Sequence, residues 1–378
     1  MSYTVALVFE LRREYLAKGF SPEECSELQD DETIDELTST LQLLGHKVVQ
    51  VGDIKDLVAC LAEGSYREWD FVLTTSEGLY GLARGAQVPA LLEAYQIPLV
   101  GADAASSVLC HDKAMTKMLL EYHSIPTAPW CLVKSGRHST DSGISQRIEL
   151  AKRISTHPKA LSTYPLFAKP AAEGTSKGIY PSSKVEQESE LEPCVSLLES
   201  RCPDQDILIE SYLAGREFTV GIIGTGPHAR VIGALEFRFH RQDEDGIAKQ
   251  GTREVDFWTG ELKETTDIVE GVRYEEVAAD MKCDPEVQAA CEVALKAYLA
   301  LGCRDLGRID VRSDKKGSGA IPHILEINQR PGIRADWSYF PTLAKNNGLS
   351  YADLVKEIVS SVSERILVDR AKKVNGTG

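Results

Sequence analysis

The first hundred residues alternate short apolar runs with stretches of helical spacing. No other feature of the chain restricts its fold as much. Residues 4–9 (TVALVF), 47–52 (KVVQVG), 69–75 (WDFVLTT) and 97–102 (IPLVGA) read as strands. Between them Ile34, Leu37, Leu41 and Leu44 fall at helical spacing over Thr33–Leu44, Gly45 follows as a stop, and 88–96 (VPALLEAYQ) is helix-like. Strands joined through helices pair in parallel, so this part predicts a parallel sheet faced by helices.

The rest of the chain reads differently. Asp112 caps a helix, DKAMTKMLLEYH, and Pro126 and Pro129 mark a crossing between units. Residues 134–160 are polar, irregular at the start and helical after that. A strand follows at 164–171 (YPLFAKPA), and the acidic stretch 184–193 reads as an exposed helix. Strands are then expected at 206–213, 217–224 and 229–237, with hairpin turn chemistry in GTGPHA. Residues 240–270 are polar, with three glycines, and read as a mobile loop. Asp284-Pro285-Glu286 opens a helix that Gly302 stops. Finally RIDVR (308–312) and PHILEIN (322–328) pair as antiparallel strands.

Composition excludes some classes. A net charge of -15 lacks the basic footprint of a nucleic-acid binder. No window holds the roughly 18 uninterrupted apolar residues of a membrane span, and MSYTVALVFELRREY reads as a first strand rather than a signal peptide. Nine scattered cysteines with no C-x-x-C pair fit free thiols in a reducing compartment, hence a cytoplasmic protein, and do not suggest zinc.

Four clusters carry chemistry. The strand period puts Glu326 and Asn328 on one face of HILEIN, with Asp310 on the neighbouring strand. Three oxygen ligands facing one way suit Mg²⁺, which is usually shared with substrate phosphates. A solvated sheet face would also carry such charges, but Arg308 alternates in phase with Asp310 and suggests an anionic reacting group nearby. In the second cluster Lys169 ends a strand, and Gly174, Thr175, Ser176 and Gly178 follow. Small residues there let backbone N–H groups approach a phosphate, although this is not a Walker A loop. In the third, Glu210 ends one strand and Glu217 begins the next. They suit an adenine amine and ribose hydroxyls, or are simply two acids flanking a turn. In the fourth, Lys113 opens a helix, where a cation opposes the dipole unless an anion binds.

Taken in order, these clusters resemble the ATP-grasp carboxylate–amine ligases, and within them the D-alanine–D-alanine ligase-like branch. The stretches QVPALLEAYQIPLVGAD, DKAMTKMLLEYHSIPTAP, FAKPAAEGTSKGI, IESYLAGREFTVGIIG, GCRDLGRIDVR and LEINQRPGI carry the resemblance across nearly the whole chain. It implies an α/β (α+β) three-domain ATP-grasp fold. An N-terminal parallel-sheet domain would span 1–112, a central lid domain 113–215, and a C-terminal domain with a mixed or antiparallel sheet 216–378.

The resemblance also implies roles. Lys113 and Lys169 would contact the ATP phosphates and adenine region, with Thr175 and Ser176 in a loop over the phosphates. Glu210 and Leu213 would face adenine, and Glu217 would bind ribose. Asp310, Glu326 and Asn328 would hold two Mg²⁺ ions. Arg308, Ser176 and the backbone at Gly332 would serve the reacting centre. A carboxylate would become an acyl phosphate, and an amine would then displace phosphate, under lids at 173–178 and 240–260. A homodimer is expected of the family.

The chain also departs from that pattern. The family's Gly-Gly-x-Ser-x-Glu stretch is VFELRREY here, so Glu14 is the first candidate for a substrate ammonium, with Glu10 competing. Glu77-Gly78 replaces a His-Gly. IRADWSYF replaces a Thr-Ser-His-Ser run, so a second-substrate carboxylate would meet Arg334, Asp336, Trp337 and Ser338. Those residues leave open whether the small-molecule substrates are D-alanine or something larger, such as an amino acid or a metabolite with a planar or charged group. Two other readings are a nucleotide-binding pseudoenzyme or scaffold, and a ligase or cyclase with a non-amine acceptor.

Overall fold

A computed structural model describes residues 1–136, 143–241, 257 and 272–374. Three sheets organise them. In the first, β1 (Thr4–Val8) pairs in parallel with β2 (Lys47–Gly52) on one side and β3 (Phe71–Thr74) on the other. The helix Asp31–Leu43 lies between β1 and β2 in sequence and buries Ile34, Leu37 and Leu41. Asp53 caps the helix Ile54–Glu63 through two backbone N–H groups. The run 97–102 is less than the expected strand: it adds only a single parallel bridge from Leu99 to Val72.

The second sheet is antiparallel. It contains β4 (Trp130–Val133), β5 (Leu166–Pro170), β6 (Lys184–Val185) and β7 (Ile207–Ser211), in the order β4-β7-β5-β6. The acidic stretch expected as an exposed helix begins as β6. Its helix, Glu188–Arg201, turns Leu191, Cys194, Val195 and Leu198 into the core of this sheet.

The third sheet holds β8 (Glu217–Ile223), β9 (Arg230–Arg241), β10 (Val272–Ala278), β11 (Leu306–Ser313) and β12 (Pro322–Asn328), in the order β10-β9-β8-β11-β12. Asp284 caps the helix Pro285–Ala300, which packs Val287, Ala290, Ala294, Ala297 and Tyr298 onto it. The helix Lys113–Tyr122 leans the same way, since Leu120 joins that core. Most of the loop expected at 240–260 lies outside the described residues.

One core joins the first and third sheets. Ile34, Leu37 and Leu41 meet Leu354, Val355, Ile358 and Val362 of the long helix Tyr351–Val374. Each such side chain contributes about 1.5–3 kcal/mol on burial. Asp305, fully buried at φ +66, knots the region. Its carboxylate accepts from the Gly101 N–H (2.9 Å), Thr225 (3.0 Å), Ser361 (2.8 Å) and Arg365 (2.7 Å). Among the described residues, no helix is long and apolar enough to cross a membrane.

Candidate active site

Two cavities meet between the sheets. The smaller, of about 800 Å³, is lined by Phe167, Tyr212, Leu213, Phe257, Lys169, Glu210, Glu217, Ser176 and Asp310. The larger, of about 1790 Å³, is lined by Arg308, Asn328, Gly332, Glu77, Thr175, Arg330, Arg334 and Ser338. Lys113, Glu173 and Glu326 line both.

The register of β11 against β12 builds the junction. Arg308 pairs across the strands with Asn328, and Asp310 with Glu326. Arg308 grips Asp310 through Nε (3.1 Å) and Nη2 (2.9 Å), while Thr219 (2.6 Å) and the Asn328 amide (3.1 Å) also donate to Asp310. Burial works against the Arg308 charge, but Asp310 and then Glu326 outweigh it and hold its pKa above the usual value. Lys113 Nζ lies 3.4 Å from Glu326 and donates to the Glu173 carbonyl at 2.5 Å. Two carboxylates and an amide oxygen are a hard donor set. No cluster of three His, Cys, Asp or Glu residues at metal-binding range occurs among the described residues. Asp310, Glu326 and Asn328 would give a cation three ligands, and Mg²⁺ commonly takes the rest of its shell from water and substrate phosphates.

Behind the smaller cavity, Glu210 lies between two ammonium groups, Lys117 at 2.8 Å and Lys169 at 2.6 Å. Burial alone would raise its pKa, but the two lysines drive it down to about 2. Two cations share one carboxylate, so the cluster carries surplus positive charge, and burial depresses the pKa of Lys117. Phe167, Phe257 and Tyr212 provide the aromatic wall, with the Phe167 and Phe257 rings 5.0 Å apart. Glu217 is held by Arg312 at 2.8 Å.

The loop after β5 is conformationally strained. Thr175 (φ +48) and Ser176 (φ +60) are consecutive left-handed residues without being glycine. The loop also touches the N-terminal part, since Lys177 lies 3.8 Å from Glu27 and Arg84 reaches both Glu27 (3.1 Å) and Glu173 (3.4 Å).

Two expected substrate residues do not reach the cleft. Glu14 lies on the short helix Arg12–Ala17, with its side chain 46% exposed beside Arg13. Asp336 is 89% exposed and pairs with Lys345. The segment carrying Glu14 turns outward, and Glu27 rather than Glu14 lines the larger cavity. Glu10 is buried, accepting from the Ser76 hydroxyl and the Glu77 N–H. Sequence reasoning missed Lys117, Glu27, Arg84 and Arg330. Lys117 had a signal, because it lies one helical turn from Lys113 on the same face. The others are brought in by distant segments.

The family described as "D-ala D-ala ligase C-terminus" matches residues 119–360, more than half of the chain. A D-alanine–D-alanine ligase of Carboxydothermus hydrogenoformans is 28% identical over 86% of this chain and 91% of its own length. One of Ralstonia nicotianae is 30% identical over 80% of this chain and 76% of its own. A D-alanine–D-alanine ligase from Bacillus anthracis, solved with ATP, superposes with a TM-score of 0.65 at 20% identity, over 97% of this chain and 99% of that one. Relatives and fold together define an ATP-dependent carboxylate–amine ligase that releases ADP. The chain belongs to the D-alanine–D-alanine ligase family.

Proposed function

We propose that the smaller cavity takes ATP and the larger one two amino-acid-derived substrates, with the acyl phosphate forming where they meet. The observation that carries this reading is the seam itself: Lys113, Glu173 and Glu326 face both cavities. Lys113 and Lys169 attract the phosphates, Thr175 and Ser176 cover them, Glu210 and Leu213 meet adenine, and Glu217 meets ribose. Asp310, Glu326 and Asn328 would hold two Mg²⁺ ions, which would neutralise charge on the transferring phosphoryl group. Arg308 and the Gly332 backbone face the oxyanion of the tetrahedral intermediate.

The substrates are larger than D-alanine, the substrate named for the relatives. Support comes from the cavity wall, where Arg12, Arg330, Arg334 and Trp337 stand together. Arg334 and Ser338 are the carboxylate contacts, with Asp336 set aside. The division into 1–112, 113–215 and 216–378 belongs to the same reading, one sheet to each part, as does a homodimer. Free cysteines throughout the described residues support a cytoplasmic setting.

A screen of amino acids and other carboxylates for substrate-dependent phosphate release, read by mass spectrometry, tests the proposal. An amide product with ADP is expected. AMP as the product, or no carboxylate that stimulates ATP turnover, would overturn it.

A further inference from the structure

An amine substrate enters as an ammonium ion and must lose a proton before its nitrogen can attack. The larger cavity offers five acids; all five have a cation within ion-pair range, and four have one at 3.4 Å or closer. Glu27 is paired with Arg84 and Lys177, Asp30 with Arg334 and Arg12, Glu173 with Arg84, and Glu326 with Lys113. Glu77 differs. Neither of its carboxylate oxygens receives a hydrogen bond from the described residues, and its nearest cation, Arg330 Nε, stands 3.7 Å away. Its main chain is fixed all the same: the Glu77 N–H donates to Glu10 at 3.2 Å. The side chain, about a quarter exposed, lines the same cavity as Arg308 and Gly332.

We propose that Glu77 is the proton acceptor for the amine substrate, an inference that rests on the ligase reading above. Its carboxylate takes one ammonium proton as the nitrogen lone pair forms the C–N bond to the acyl phosphate. The carbonyl electron pair moves onto the oxygen facing Arg308. The C–O bond to phosphate then breaks, and phosphate leaves with the second N–H proton.

The surroundings suit the task. Burial raises the Glu77 pKa; Arg330, on the turn after β12, opposes this. Glu27 and Glu10 push it up and Arg84 pulls it down, leaving it at about 7. A base poised there is about half ionised at neutral pH and basic enough to take a proton. His111, the other candidate, is pushed down to about 4 by burial and by Arg84 and Lys113, and its Nε2 is taken by Arg84 at 3.0 Å.

Hydroxylamine tests this, because its nitrogen is unprotonated at neutral pH and needs no base. The enzyme receives ATP, Mg²⁺ and an equimolar mixture of D- and L-amino acids, with and without hydroxylamine. Dipeptides and acyl hydroxamates are read by mass spectrometry. Glu77→Gln should lose about 100-fold or more of amide formation while hydroxamate formation on the same sample falls only a few-fold. In the wild type, amide formation should fall below about pH 7, and hydroxamate formation should fall only at lower pH, where hydroxylamine itself takes a proton. Equal losses in both arms, or a limb shared by both, would overturn the proposal. A wild type that makes no hydroxamate would instead sink the acyl-phosphate reading, and this inference with it.

Discussion

Lys113 and Glu326 face each other at 3.4 Å across the seam between the two cavities, so a helix start and a strand end share one charge pair. Under the proposed function, Lys113 would serve the nucleotide phosphates and Glu326 the metal. Lys113→Met should raise the ATP KM. Glu326→Gln should raise the Mg²⁺ concentration for half-maximal rate by at least about tenfold, as loss of a metal-orienting group does. Steady-state titrations of ATP and Mg²⁺ measure both. An unchanged Mg²⁺ requirement in Glu326→Gln would remove Glu326 from the metal site.

Arg308 is held by Asp310 through two hydrogen bonds, and the proposed function assigns it to the developing oxyanion. Arg308→Met should lower kcat about 100-fold or more, while ATP affinity, read by calorimetry, changes little. Equal losses in kcat and nucleotide affinity would mean that Arg308 serves binding rather than the reacting centre.

The Glu210 cluster predicts an asymmetry in stability. Glu210→Gln strands two buried ammonium groups and should cost about 3–5 kcal/mol. Lys117→Met removes the surplus cation and leaves a balanced Lys169–Glu210 pair, so it should cost less. Thermal melts of the two variants decide the order.

The same cluster sets an acid limit. The folded-state pKa of Glu210, about 2, lies below its ordinary 4.5. Its contribution is therefore fully present above about pH 4.5 and is lost as pH falls towards 2. Wild-type melting temperature should drop through that window. Glu210→Gln should drop less steeply there.

Acceptor recognition has its own test. Arg334 shares Asp30 with Arg12 and lines the larger cavity. Arg334→Ala should raise the KM of the amine substrate more than it lowers kcat. The reverse split would place Arg334 nearer the chemistry.

What was legible in the sequence followed from local spacing. The pairing of RIDVR with PHILEIN brought Arg308, Asp310, Glu326 and Asn328 together because strand alternation fixes the face of each side chain. Helix and strand positions in the first sheet followed from the same kind of periodicity. The failures were tertiary. Glu14 looked suitable because it follows β1, but its short helix turns outward, and only the packing of 23–30 against the loop at 173–178 brings Glu27 inward. Lys117 went unread because its partner Glu210 is far away in sequence. Leu99 continued an apolar run, yet it makes only one bridge, a matter of sheet geometry rather than composition.

The Asp305 knot has a mechanical consequence. Gly101 belongs to the first sheet's side of the molecule, Thr225 to the third's, and Ser361 and Arg365 to the helix that closes the chain. One buried carboxylate thus rivets together the two bodies that wall the substrate cavity. The strained loop of the central sheet meets these bodies through side chains, Lys177 with Glu27 and Glu173 with Arg84. On the proposed function, an amino-acid pocket walled by these two bodies would keep its shape through the Asp305 contacts whether or not nucleotide is bound.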